Sequence, residues 1–403
     1  MATIKPFKAL LPKPVLTAQV ASVPYDVVST KEARVLAANN PHSFLRIIRS
    51  EIELPDHANP YADEVYQRAR DNLQAFLRDG VLVEEPAEFL YIYQLRMDSH
   101  SQTGIVGCVS LDEYEKGLIK IHEKTRPEKV EDRMRHMLAT SAHCEAVFLA
   151  FKSEPGLTAL IRTETEQSPL YDFATPDGIV HRLWRVRETL QAQDLFSKIP
   201  CTYIADGHHR VASAAACRKA LNKTSRSEKE GASFFTAVLF SHDELRILPY
   251  NRVTRCAPRT SNLVQALSRD YQVAKTENPS PKTKGQVCMF WENTWHSLTP
   301  QGSINAGDAV SALDVSVLQT RVLEPLFGIG DPRLDKNIDF VGGMRGTGEL
   351  ERLVKSGEAC CAFSMYPVSM DELFEIADAG QTMAPKSTWF EPKLRSGLFV
   401  HTF

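Results

Sequence analysis

One junction constrains this chain more than any other. Cys201-Thr202-Tyr203-Ile204-Ala205 has the apolar, β-favouring character of a short strand, and Val211–Leu221 reads as an alanine-rich helix. Between them stands only Asp206-Gly207-His208-His209-Arg210. A strand that passes into a helix over so few residues needs a sharp turn, and Gly207 supplies the backbone freedom for it. Similar alternation runs through the chain. Strand-like stretches at Glu88–Leu95, Gly104–Leu111, Val147–Phe151, Phe234–Phe240 and Glu244–Tyr250 are interleaved with helical ones at Tyr61–Arg78, Pro127–Ser141, Pro155–Thr165 and Glu188–Lys198. A mixed α/β fold follows.

Boundary signals sharpen this reading. Ser29 and Glu32 are spaced as a capping box, and so are Thr125 and Glu128 ahead of the helix at Pro127. Tyr171–Ala174 and Ile179–Val186 read as a hairpin turning at Pro176-Asp177-Gly178. Beyond residue 258 the pattern changes to helical runs at Asn262–Tyr271, Ala312–Phe327 and Gly348–Ser356 around a hairpin near Val287–Trp291. The expected division is an N-terminal α/β region over 1–100, a core over 101–257 and a C-terminal α/β region over 258–403.

Composition removes several functional classes. The 47 Lys and Arg residues nearly balance 50 Asp and Glu, so no global field exists to hold nucleic acid. No run of about 18 apolar residues exists to span a membrane, and no apolar signal-peptide core follows the N-terminus. The eight cysteines lack Cys-x-x-Cys spacing, which fits reduced thiols and a cytoplasmic protein.

The junction has its own chemistry. Amides after Gly207 and the positive end of the helix dipole favour an anion above the turn. Arg210 adds a planar fork for phosphate oxygens, and His208 and His209 can donate hydrogen bonds or meet developing charge. Asp206 can position a hydroxyl, a magnesium ion or an imidazole; in the competing reading it is only an N-cap. Zinc is disfavoured because adjacent histidines diverge and His122, His136 and His143 show no ligand spacing. Glu123, just before a helix start, is the best candidate base for phosphoryl transfer to an alcohol. Arg126, Lys129 and Arg133 can supply cations, though a solvated helix face is the favoured reading for all three. Lys386, Ser387, Thr388 and Lys393 either close the site over a phosphate or dock a tail. Phe340–Gly348 is glycine-rich but lacks the order of a phosphate loop, and reads as a turn.

Six strings together resemble one family: Pro24-Tyr25-Asp26-Val27-Val28-Ser29, Asn40-Pro41-His42-Ser43-Phe44-Leu45-Arg46, His122-Glu123-Lys124-Thr125-Arg126-Pro127, Asp206-Gly207-His208-His209-Arg210, Pro249-Tyr250-Asn251-Arg252, and Lys386-Ser387-Thr388 through Pro392-Lys393. The chain resembles, over nearly its whole length, a large uncharacterised bacterial-type family related to free-serine kinases of the ParB/sulfiredoxin superfamily. The resemblance implies a ParB/sulfiredoxin-like nucleotide-binding core in which the turn at 206–210 cradles phosphates, with Glu123 as catalytic base. Ser22-Val23 and Ala384 stand where the family has prolines, and the Glu123-to-Asp206 interval exceeds that of compact serine kinases.

The expected activity is phosphorylation of L-serine or a similar hydroxylated metabolite from ATP or ADP with Mg2+. Gly207, His208, His209, Arg210, Arg126, Lys386, Ser387, Thr388 and Lys393 would hold the nucleotide, with Asp206 as the magnesium candidate. The alternative is a ParB-like nucleotide switch or adaptor without transfer. A homodimer stays open; a nucleic-acid or membrane partner is not expected.

Overall fold

A computed structural model describes residues 2–224, 230–302 and 307–403. Contacts divide the chain into two compact units. The first comprises Met1–Ile121, Thr125–Leu245 and Pro392–Phe403; the second comprises His122–Lys124 and Arg246–Glu391. Both are mixed α/β.

The first unit is built on an eight-stranded mixed sheet. Its strands are β1 (Tyr91–Met97), β2 (His100–Ser110), β3 (Ile119–Lys120), β4 (Val147–Phe151), β5 (Tyr171–Ala174), β6 (Val180–Arg185), β7 (Thr202–Asp206) and β8 (Phe234–Ser241). Their spatial order is β3-β7-β4-β8-β2-β1-β6-β5. Strand β4 is buried at every position, and β8 is buried from Phe235 onward, so both read as continuous apolar runs. The edge hairpin β5–β6 alternates instead, as a half-exposed strand pair does.

Five helices of this unit matter below: α1 (Thr30–Ala37), α2 (Asp63–Arg78), α3 (Pro127–Thr140), α4 (Pro155–Thr165) and α5 (His208–Thr224). Helix α5 sets Val211, Ala214, Ala215 and Cys217 into a core with Ile204 and Leu239. It also packs along α3, where the hydroxyl of fully buried Ser213 lies 3.0 Å from the Val130 carbonyl and 2.6 Å from the His209 carbonyl of its own helix. Small side chains on α5 permit that approach.

Two local expectations failed at α3. No box forms between Thr125 and Glu128; the N-cap is Arg126, without a side-chain cap. The Ser29–Glu32 box does form. The buried residues of α3 are also mostly polar: Asp132, Arg133, His136, Met137 and Thr140. Arg133 therefore does not decorate a wet face. It is 8% exposed, donates to Asp132 at 3.0 Å and to the Ile48 carbonyl at 3.1 Å, and lies over the Tyr25 ring.

A four-stranded sheet completes this unit, with Ala9–Pro12 between Leu82–Glu84 and Val400–Thr402, and Ala142–His143 beyond the latter. Gly397 lies so close to Phe44 that a Cβ there would meet the ring at 2.6 Å.

The second unit carries a six-stranded antiparallel sheet of β9 (Tyr250–Thr254), β10 (Tyr271–Lys275), β11 (Val287–Trp291), β12 (Thr294–Pro300), β13 (Ile338–Gly342) and β14 (Cys361–Ser364), ordered β10-β12-β11-β14-β9-β13. Helix α6 (Gly346–Lys355) packs against β14, and α7 (Met370–Asp378) starts at a capping box of Ser369 and Glu372. The run Asn262–Tyr271 is not one helix: it is helical only at Leu263–Leu267, and Tyr271 opens β10. Ala312–Phe327 divides into an α-helix at Asp314–Leu318 and a π-helix at Gln319–Phe327 that contains Pro325. Phe340–Gly348 is more than a turn, because it ends β13 and begins α6. Gly342 is needed there: a Cβ would meet the Trp389 ring at 2.6 Å.

All eight cysteines are free thiols. Among the described residues no helix is long and apolar enough to cross a membrane.

Candidate functional site

In the first unit the junction forms as a bulged strand, a glycine turn and a 17-residue helix. Strand β7 pairs Tyr203 with Ala150 and Ile204 with Leu149, but then Asp206 with Phe148. This irregularity next to Ala205 re-aims Asp206 at the strand end. Gly207 follows at φ +101°, and its carbonyl accepts the amides of Arg210 at 2.9 Å and Val211 at 3.2 Å as α5 begins. The first-turn amides of α5 and its positive dipole end thus lie just beyond Asp206.

The side chains of the turn do different things. Asp206 is partly exposed and accepts from Lys393 Nζ at 3.2 Å, so two of the candidates come together here. His208 is buried, and burial lowers its pKa to about 3; it is neutral at pH 7. His209 accepts the Arg126 backbone amide at Nε2, at 3.0 Å. That bond puts any proton of a neutral ring on Nδ1.

Arg210 points inward. It is 4% exposed, with one guanidinium nitrogen on the Ala146 carbonyl at 2.8 Å and another 3.5 Å from Asp26. Burial works against its charge, yet Asp26, Glu145 and Asp206 hold its pKa above the ordinary arginine value. Glu145 accepts the Tyr25 amide at 3.1 Å and the Ser396 hydroxyl at 3.0 Å, and burial raises its pKa. Beyond Tyr25 the network continues through Arg133 and Asp132 to the Tyr66 hydroxyl at 2.9 Å. Asp26 and Glu145 went unseen as site residues in the sequence, and Arg133, weighed there as a cation, was read as part of a solvated helix face. The available signal was Asp26 inside the Pro24–Ser29 string, which lies 184 positions from Arg210.

The second unit gathers other strings. His122 is buried, with Nε2 3.1 Å from the Thr388 hydroxyl and its carbonyl accepting the Met383 amide at 2.8 Å. Ser387 donates to the Ala384 carbonyl at 2.7 Å. Lys386 takes a positive φ of 56° and sets its ammonium 5.7 Å from the centre of the Tyr250 ring. Trp389 meets Tyr250 edge to face at 5.1 Å. Glu123, half-buried, follows His122 in this unit, whereas exposed Arg126 belongs to the first.

The family model described as "Protein of unknown function (DUF1015)" matches residues 4–316. The chain belongs to the DUF1015 family. It has no match among curated proteins. Three solved structures overlap this DUF1015 protein loosely, each over 72% of its length. A conserved hypothetical protein from Pyrococcus furiosus gives 15% identity and a TM-score of 0.34 over 93% of its own chain. A free serine kinase in complex with AMP gives 14% and 0.36 over 91%. SbnI with a C-terminal truncation, from Staphylococcus aureus, gives 11% and 0.37 over 85%. Overlaps this loose place no residue.

Proposed function

We propose that this DUF1015 protein is a nucleotide-dependent kinase acting on a hydroxyl of a small metabolite, with free L-serine the first candidate and ATP or ADP the donor. The observation that carries the reading is the bulged β7 strand, Gly207 turn and α5 start, with Lys393 over Asp206. A phosphate at such a helix start meets backbone donors and a positive dipole end, and Lys393 adds a cation to them. Phosphoryl transfer asks for little more than positioning and charge stabilisation.

In the proposed step the acceptor oxygen bonds to the terminal phosphorus of the nucleotide while the bond to its bridging oxygen breaks. The hydroxyl proton goes to Glu123, and the nucleotide leaves as ADP from ATP or AMP from ADP. Asp206 orients the hydroxyl or the metal. Magnesium would be held by one carboxylate, that of Asp206, which Lys393 now contacts, together with water and substrate phosphates, and would supply charge neutralisation. Gly207, His208 and His209 stand at the phosphates, His208 as a neutral donor. Arg126, Lys386, Ser387 and Thr388 are further ligand-holding candidates. Arg210, turned toward Asp26, supports the turn from behind and reaches phosphate only if that pair opens.

The test is a coupled assay of purified protein with magnesium, ATP or ADP, and an amino-acid panel led by L-serine. Turnover that disappears in Glu123→Ala and Asp206→Ala supports the kinase. Tight nucleotide binding without transfer to any acceptor supports a ParB-like switch instead.

A further inference from the structure

Arg252 is a deeply buried charge of the second unit. It sits on β9, an interior strand, opposite Phe340 on one side and Phe363 on the other. It is 3% exposed, and its partners are the Tyr250 carbonyl, the Pro385 carbonyl at 3.5 Å and the face of Phe340 at 5.5 Å. Among the described residues no carboxylate pairs with it, and burial lowers its pKa to about 9. A buried guanidinium satisfied only by neutral carbonyls and a ring keeps most of its desolvation penalty. A resident anion is the ordinary remedy, and the described residues bring none to its guanidinium.

The surroundings suit an incoming one. Pro385, which Arg252 touches, leads directly into Lys386, whose ammonium stands over the same Tyr250 that gives its carbonyl to Arg252. Thr388 two residues on is held by His122. Two cations and a hydroxyl-bearing loop thus converge beside aromatic Tyr250 and Trp389.

We propose that Arg252 and Lys386 form an oxyanion site in the second unit, which takes the phosphate or carboxylate group of a small ligand. The inference shares with the kinase reading the assignment of Lys386–Thr388 to ligand binding, but it does not need phosphoryl transfer. Arg252 supplies the fork and Lys386 the second charge.

Calorimetric titration of the full chain at constant ionic strength, with phosphate, pyrophosphate and acetate as separate probes, tests this without turnover. At least one probe should bind. Arg252→Lys, which keeps the charge but not the fork, should weaken it about tenfold, and Lys386→Ala should weaken it as well. Arg252→Met should abolish it, and if that variant does not fold the other two carry the test. Gly207→Ala, in the first unit, should leave this binding in place even if it destroys kinase activity. Preference among probes separates a phosphate from a carboxylate ligand, both within the proposal. The proposal is overturned if none binds the wild type, if Arg252→Lys and Lys386→Ala bind as the wild type does, or if only Gly207→Ala loses the anion.

Discussion

The turn at Gly207 makes a quantitative prediction, because the structure separates backbone strain from steric clash there. A methyl group on Gly207 would find Arg210 Cδ at 3.4 Å and Val147 Cγ1 at 3.5 Å, both ordinary van der Waals distances. Alanine therefore fits the space. Its cost is conformational, since φ is +101° and side chains disfavour that region by about 1–3 kcal/mol. Loss of glycine's freedom in the unfolded chain returns about 0.4–1 kcal/mol, leaving a net destabilisation of about 1.3 kcal/mol at the middle of both ranges and about 2.6 kcal/mol at most. Gly80 provides an internal reference, with φ +68° and nothing within 4 Å of where a Cβ would stand. Alanine there should cost about 1 kcal/mol or less. Valine at 207 adds a second branch against Arg210 and Val147, and should cost about 1–3 kcal/mol more than alanine. Hydrogen exchange of the β7 and α5 amides is the suitable assay, because a chain of two units need not unfold in one step. If Gly207→Ala costs no more than Gly80→Ala, residue 207 does not need its positive φ and the strain argument fails.

Three further outcomes follow from particular contacts. His143, His181 and His208 have pKa values lowered to about 3, and His136 to about 4, chiefly by burial. Below pH 6.5 the unfolded chain binds protons that these folded rings refuse, so stability falls with acidity down to about pH 3–4, each ring contributing up to about 1.4 kcal/mol per pH unit. His181→Gln should flatten the pH dependence of the urea midpoint between pH 5 and 6.5; an unchanged slope contradicts the assignment. Asp26→Asn should destabilise the first unit by about 1–2 kcal/mol, less than a fully buried pair would, because the 3.5 Å contact is long and Glu145 remains near Arg210. Chemical denaturation measures it, and a neutral result removes Asp26 from the support of the turn. Gly342→Ala drives a methyl into the Trp389 ring and should lower stability by about 1–3 kcal/mol, read in thermal unfolding with Trp389→Leu as the relieving second change.

Local signals were legible in the sequence wherever one stretch settles its own structure. The Ser29–Glu32 capping box formed, and helix α4 runs from Pro155 to Thr165 as its pattern indicates. The strand-to-helix junction at 202–208 was legible for the same reason: apolar β-branched and aromatic residues, one glycine, then alanines. What escaped depends on distant partners. Apolar periodicity points α3 inward through Val130, Met134, Met137 and Leu138, and Met137 is indeed buried, yet the helix also buries Asp132, Arg133 and His136 because Tyr66, Ile48 and Ile47 supply their bonds. Periodicity counts apolar residues and cannot see a charge that is buried because it is satisfied. Asn262–Tyr271 shows a different limit, since Tyr271 belongs to β10 through its pairing with Pro300, a partner no local window contains.

The family strings turn out to mix two kinds of residue, and the difference has consequences. Phe44 packs against Gly397 and Arg46 binds Glu53, so the Asn40–Arg46 string builds the first unit's frame. His122, Arg210 and Arg252 are each 2–4% exposed and engage carbonyls, a hydroxyl or a carboxylate of their own unit. Asp206, Glu123 and Lys386 are half-buried or exposed, where a ligand can meet them directly, whereas at Arg252 it must displace carbonyl contacts. Substituting the inward group should disturb stability and binding together, because a buried partner is left behind. Substituting the accessible group should change activity while stability moves by less than about 1 kcal/mol. Glu123→Gln and Asp206→Asn against Arg210→Met, each measured for turnover and for unfolding, puts the distinction to the test. If Asp206→Asn destabilises as much as Arg210→Met, Asp206 belongs to the frame, and the proposed orienting role passes from it.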